Sequence, residues 1–161
     1  MASWGRRIRR RRQGDFELHL PPEEREVLRS LPSQLRELVD VNDPAVKRLF
    51  PVAHPEDPEL EAEYREMVGD DLAAGRLGAL GIMEATVEAE RLNEEQLTAW
   101  LTALNDLRLV LGTQLDVTEE MAELPDDDPA APRQALYHYL TWLQDQIITE
   151  LAAALPEGGA D

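Results

Sequence analysis

The chain has 161 residues, 43% of them hydrophobic and 30% charged, with no cysteine and a formal net charge of −17. Its length suits one domain, since about 150 residues bury roughly 68–70% of the surface their unfolded chain exposes, and the composition is globular rather than disordered. The absence of thiols excludes a disulfide framework, a thiolate zinc site, a cysteine nucleophile and a thiol redox switch from this sequence.

No apolar run approaches the roughly 18 residues of a membrane-spanning helix. No apolar stretch follows Arg12, as it would in a secretory signal. A cytoplasmic chain with no membrane association is therefore expected.

In chain order, charge distribution comes first. Arg6, Arg7, Arg9, Arg10, Arg11 and Arg12 are six of the sixteen basic residues, and no acid precedes Asp15. The remainder carries 10 basic residues against 33 acidic ones, a body of −23 behind a +6 arm. Such a body repels nucleic acid and anionic membrane, so binding to either has to come from the arm.

Within residues 1–20, Phe16, Leu18 and Leu20 alternate with Glu17 and His19. This period of two predicts a half-buried strand over 15–20, paired with 4–9 around a turn at 11–14. An isolated hairpin is marginal in water, so this one should pack on the rest of the chain.

From Pro21 the period becomes helical. Two prolines followed by Glu23, Glu24 and Glu26 suit a first turn, and Val27, Leu28, Leu31, Leu35 and Leu38 form the apolar stripe. Pro32 should kink or split this element. Asn42, Asp43 and Pro44 resemble a cap for a short helix over 45–50, and PVAHPEDP at 51–58 reads as a loop.

A long helix is expected from about 59 to 91, with a break near Gly69 or Gly75 as the alternative. Gly75, Gly78 and Gly81, spaced by three, would share a face that lets a neighbouring helix, or a second copy in a homodimer, approach closely. Asn93 to Gln96 has the form of a capping box. Behind it Leu97, Trp100, Leu101, Leu104, Leu107 and Leu111 recur at helical spacing to about Thr113. PDDDPAAP at 125–132 is a second loop. A last helix should run from near Pro129 to Ala154 with Leu136, Leu140, Leu143, Ile147 and Leu151 inward. Residues 155–161 form a frayed tail.

The reading is mainly α: a bundle of four to five helices over 21–154, with the arginine-rich hairpin of 1–20 packed on it as one structural domain. Trp100 and one of Tyr139 or Trp142 are assigned to the core. Tyr137, His138 and Trp142 are candidate anchors for a partner.

Catalytic and metal motifs are missing. His19, His54 and His138 lie in three different elements, so neither an HExxH pattern nor the paired Glu-x-x-His of a di-iron bundle occurs. Pairs such as Glu59 and Glu63, or Glu84 and Glu88, read as solvated helix faces, as do Asp70 and Asp71. GRLGALG lacks the strand and spacing of a phosphate loop. No cofactor, metal or catalytic residue is assigned, and the chain reads as a non-enzyme. For the arm three uses stay open: salt-sensitive contact with phosphates, docking on an acidic protein, and a structural or aggregation-blocking role on an edge strand.

Three stretches, LPPEEREVLRSLPSQLRELV, EAEYREMVGDDLAAGRLGALGIMEATVE and above all WLTALNDLRLVLGTQLDVTEE, resemble an actinobacterial family long carried as a domain of unknown function. Some of its members are named oxidative-stress transcriptional regulators, the AosR-like proteins. The resemblance covers roughly residues 4–153, with residues 105–113 its strongest marker. It implies a regulator of transcription in the stress response that works through protein contacts, with a sigma factor or RNA polymerase as partner. A gene neighbourhood shared with a protease adaptor also implies, as an alternative, an accessory factor of regulated proteolysis. The redox-sensing members are thought to switch through a cysteine pair, which this chain lacks, so that mechanism does not carry over. Within the marker, Asn105, Asp106 and Arg108 are the polar residues of an apolar helix. They form either a partner-facing patch or a set of ties to neighbouring helices, through an Asp106–Arg108 environment or a helix-end contact.

Overall fold

Ile8, Phe16 and Leu18 are 1%, 1% and 3% exposed, while Arg9 is open to solvent and Glu17 half-buried. The alternation thus produces the expected antiparallel pair, β1 (Ile8–Arg10) and β2 (Phe16–Leu18), with Ile8 opposite Leu18, Arg9 opposite Glu17 and Arg10 opposite Phe16. The turn closes through the Arg11 N–H to Asp15 O, and Gly14 takes the positive φ of 95° that favours glycine there. The computed structural model describes residues 5–40, 43–46, 59, 70–115 and 123–154.

Helix α1 (Pro22–Asp40) starts at the second proline, with Glu23 and Glu24 in its first turn, and buries Leu28, Leu31 and Leu35. Val27, assigned to the inward stripe, is 42% exposed. The helix is not split at Pro32 but runs through it. A mid-helix proline costs about 3 kcal/mol. Burying three leucines at roughly 1.5–3 kcal/mol each outweighs that, and Pro32 is itself buried. A 3-10 turn (Pro44–Val46) follows, capped by the Asp43 side chain on the Ala45 N–H. The rest of the expected 45–50 helix, the 51–58 loop, His54, Gly69 and the 155–161 tail lie outside the described residues.

The long helix ends sooner than its periodicity suggested. Helix α2 (Asp70–Thr86) is unbroken at Gly75 and stops at Thr86, and Arg91–Leu92 forms strand β3 instead of a last helical turn. The free edge of β2 explains the difference: the Leu18 N–H donates to Glu90 O, and Leu92 sits opposite Phe16, 1% exposed. The hairpin becomes a three-stranded sheet of order β1-β2-β3. Nothing lies within 4 Å of a Cβ added at Gly75 or Gly78, and at Gly81 the nearest atom is Arg36 Nη2 at 3.7 Å. The glycines therefore admit no close helix–helix approach among the described residues.

Arg25 fastens this junction. Its guanidinium donates to the carbonyls of Leu18 and Leu20 at the end of the sheet and of Val87 and Ala89 beyond α2.

Helix α3 (Glu94–Leu115) opens on the expected capping box. The Gln96 N–H donates to Asn93 Oδ1 at 2.7 Å and the Asn93 N–H to Gln96 Oε1 at 2.9 Å. Leu97, Trp100 and Leu104 are fully buried, and the Trp100 indole donates to Thr86 Oγ1. Helix α4 (Ala131–Ala154) begins two residues after Pro129, behind a turn in which Asp128 Oδ1 accepts the Ala130 N–H. Leu140, Leu143 and Ile147 are fully buried, whereas Leu136 and Leu151 are half-buried. Among the described residues the architecture is mainly α: four helices around one core, with a small sheet packed on α4 and α3 and tied to α1 through Arg7–Glu24 and Arg25. No described helix is long and apolar enough to cross a membrane.

Candidate functional site

The six arginines of the arm do not act as a unit. Arg7 points inward and is 9% exposed. It makes two bonds to Glu24, at 3.0 and 2.8 Å, a third to Gly5 O, and lies 5.2 Å from the centre of the Trp142 ring. The Tyr139 hydroxyl donates to the same Glu24 at 2.6 Å, and the Arg7 backbone N–H donates to Gln146 Oε1. Burial alone would raise the Glu24 carboxyl, but the bonds from Arg7 and Tyr139 hold it below its usual value. The Tyr139 phenol is raised by burial and by the carboxylate beside it, and the Arg7 guanidinium is raised by its bond to Glu24. This corner, built from the arm, α1 and α4, is closed.

Arg6 pairs with Glu150, a carboxylate only 4% exposed. Arg11 bonds both oxygens of Asp15 and reaches Glu17 at 3.9 Å, while Arg10 donates to Ala153 O at the end of α4. Arg9 and Arg12 are exposed, with no such bond among the described residues. The sheet register adds a cation that sequence reasoning missed. Glu17 lies opposite Arg9 on one side and Arg91 on the other. Arg91 was assigned to a helix, and a two-residue strand is too short to show any alternation.

The marker residues form a layer across the bundle. Asp106, 2% exposed, pairs with Arg76 of α2. Burial raises its carboxyl, and the Arg76 charge and hydrogen bond work in the opposite direction. Asn105 Oδ1 accepts Gln144 Nε2 of α4 at 3.3 Å and Arg108 Nη2 at 3.4 Å. The expected Asp106–Arg108 environment does not form, because residues two apart on a helix do not face each other. The structure therefore joins Asp106 to α2 and Asn105 to α4. Above this layer an open groove of about 550 Å³ is lined by Arg76, Thr102, Asn105, Asp106 and Gln144, with Leu101 and the 46% exposed Ile148 as apolar wall. Tyr137 and Trp142 are half-buried and His138 exposed. Among the described residues no three His, Asp or Glu side chains are grouped to hold a metal ion.

The chain belongs to the family described as Domain of unknown function (DUF2017), which matches residues 5–151. It is 29% identical over 129 residues to a putative oxidative stress regulator AosR of Mycobacterium leprae, covering 69% of this chain and 59% of that protein. Over 61 residues it is 39% identical to the oxidative stress regulators AosR of Mycobacterium bovis and Mycobacterium tuberculosis, covering 37% of this chain and 28% of theirs. The chain thus spans less than two thirds of the length of these relatives. No solved structure matches it.

Proposed function

We propose that this chain is a non-enzymatic, cytoplasmic regulator of transcription in the stress response, acting through contact with proteins of the transcription machinery. Support for the regulatory role comes from relatives that are named regulators. The observation that carries protein contact, rather than nucleic-acid contact, is the division of the arm. Arg6, Arg7 and Arg11 are paired with acids inside the chain, which leaves Arg9, Arg10 and Arg12 to face a polyanion from a body of −23. Long-range repulsion of that size disfavours a duplex more than a short protein segment.

A sigma factor or RNA polymerase is the partner to look for first. The test is co-purification of the tagged protein from stressed and unstressed cells with nuclease treatment. Nuclease-resistant recovery of either partner is the expected result. Recovery of protease components alone, or of nuclease-sensitive partners alone, would contradict this reading. The direct nucleic-acid reading rests on exposed Arg9, Arg10 and Arg12. It requires an affinity that falls steeply with salt and disappears when residues 1–12 are deleted. A homodimer would meet at the open side of α2 around Gly75 and Gly78, and light scattering of the purified protein checks it.

A further inference from the structure

Two arginines on the sheet, Arg9 and Arg91, and one in its β1–β2 turn, Arg12, have no hydrogen-bond acceptor among the described residues of a chain that contains 33 acids. Arg9, Arg12 and Arg91 are all exposed. Their surroundings are fixed rather than floating: the strand that carries Arg9 is tied to α1 and α4 through Arg7, Gln146, Arg10 and Ala153. The register places Arg9 and Arg91 on either side of Glu17, on the face opposite to buried Ile8, Phe16, Leu18 and Leu92. Two inter-strand spacings put their backbones roughly 10 Å apart. Glu17 offsets only part of their charge, since one carboxylate is shared: it hydrogen-bonds His19 at 2.7 Å, which together with Arg9 and Arg11 keeps it a carboxylate, while Arg11 is held by Asp15.

We propose that this face is a docking surface for an acidic segment of a protein partner, with the partner's carboxylates engaging Arg9, Arg12 and Arg91 and Glu17 setting the spacing between them. The proposal rests on the protein-contact reading above and names the surface and the partner chemistry. Charge complementarity carries it. The sheet and its turn carry, among the described residues, more cations than hydrogen-bonded acids on a chain of net charge −17, so an occupant that is acidic and short gains these contacts without facing the whole field of the body. A duplex presents a continuous row of phosphates and would meet a carboxylate at the centre of the patch.

The experiment titrates the isotopically labelled full chain with two defined probes, a short glutamate- and aspartate-rich peptide and a DNA duplex of random sequence. Backbone amide and arginine Nε–Hε signals are followed. The peptide should shift the signals of Arg9, Arg12 and Arg91 and spare Arg7. Its affinity should weaken roughly tenfold or more between about 50 and about 200 mM salt. The double variant Arg9→Glu/Arg91→Glu, and the milder Arg9→Gln/Arg91→Gln, should each lose binding by at least about tenfold, the scale of a 1.4 kcal/mol difference.

Tighter binding of the duplex than of the peptide at the same ionic strength would overturn the proposal in favour of nucleic acid. Unmoved arginine signals, or unchanged peptide affinity in both variants, would also overturn it. If the double variants still retain the partner recovered by co-purification, this face is rejected while regulation by protein contact stands.

Discussion

Arg7, at the bend just before β1, and Arg9, within it, are two residues apart and have opposite surroundings. Arg7 is enclosed by Glu24, Tyr139, Trp142 and Gln146, whereas Arg9 faces solvent across from Glu17. A run of six arginines is one electrostatic feature in composition, but the bend at Arg7, which turns that side chain onto Glu24 of α1 and its backbone onto Gln146 of α4 before β1 begins, divides it. One subset holds the fold together and another is left for contact. The difference teaches that the charge of a segment says little about its use until each side chain is placed on a face.

The comparison breaks most readily at Arg7. Replacing it with methionine leaves the Glu24 carboxylate half-buried with only the Tyr139 hydroxyl for company. Loss of one partner of a largely buried pair is expected to lower unfolding free energy by about 3 kcal/mol, read from urea denaturation. Arg25→Lys comes next. A lysine ammonium cannot reach four carbonyls on two segments at once, and losing two of those bonds should cost about 2 kcal/mol in the same assay.

Two carboxylates sharpen the contrast through pH. Glu24 is held low, so its stabilising contribution is present above about pH 4.3, its unfolded value, and is lost as pH falls through the folded one. Asp106 is raised by burial, so its contribution is fully present only below about pH 3.9 and is lost as pH rises through the folded value. Relative to the parent chain, Glu24→Gln should therefore lose stability as pH rises from about 3 to about 7, while Asp106→Asn should gain it. Parallel pH profiles of unfolding free energy for the two variants would show that the two sites do not differ as described. The smallest effect belongs to Gly78→Ala. With nothing among the described residues within 4 Å of the new methyl, it should stabilise α2 by about 0.5–1 kcal/mol, and a loss would mean that the face is covered.

Much of this fold is legible in the sequence because local rules agree with tertiary packing. The capping box at Asn93 and Gln96, the alternation from Phe16 to Leu18, and the leucine stripes of α3 and α4 each depend on residues within a few positions of one another. What was not legible depends on partners far along the chain. Helix α2 stops at Thr86 because β2 offers Glu90 and Leu92 a free edge, which no pattern at 86–92 announces. Helix α1 passes through Pro32 because leucines on both sides are buried. At the candidate site, the arm and the marker residues could be named from sequence. The pairings Arg7–Glu24, Arg6–Glu150, Arg76–Asp106 and Asn105–Gln144 span 17, 144, 30 and 39 positions, and Arg91 joins the basic face only through strand register.

The most direct test of the division between structural and contact arginines measures stability and binding on the same variant, Arg9→Ala/Arg91→Ala. The account predicts an unfolding free energy within about 0.5 kcal/mol of the parent chain, the usual range for exposed sites, together with loss of acidic-peptide binding. A variant that unfolds more easily by several times that amount and still binds the peptide would contradict it.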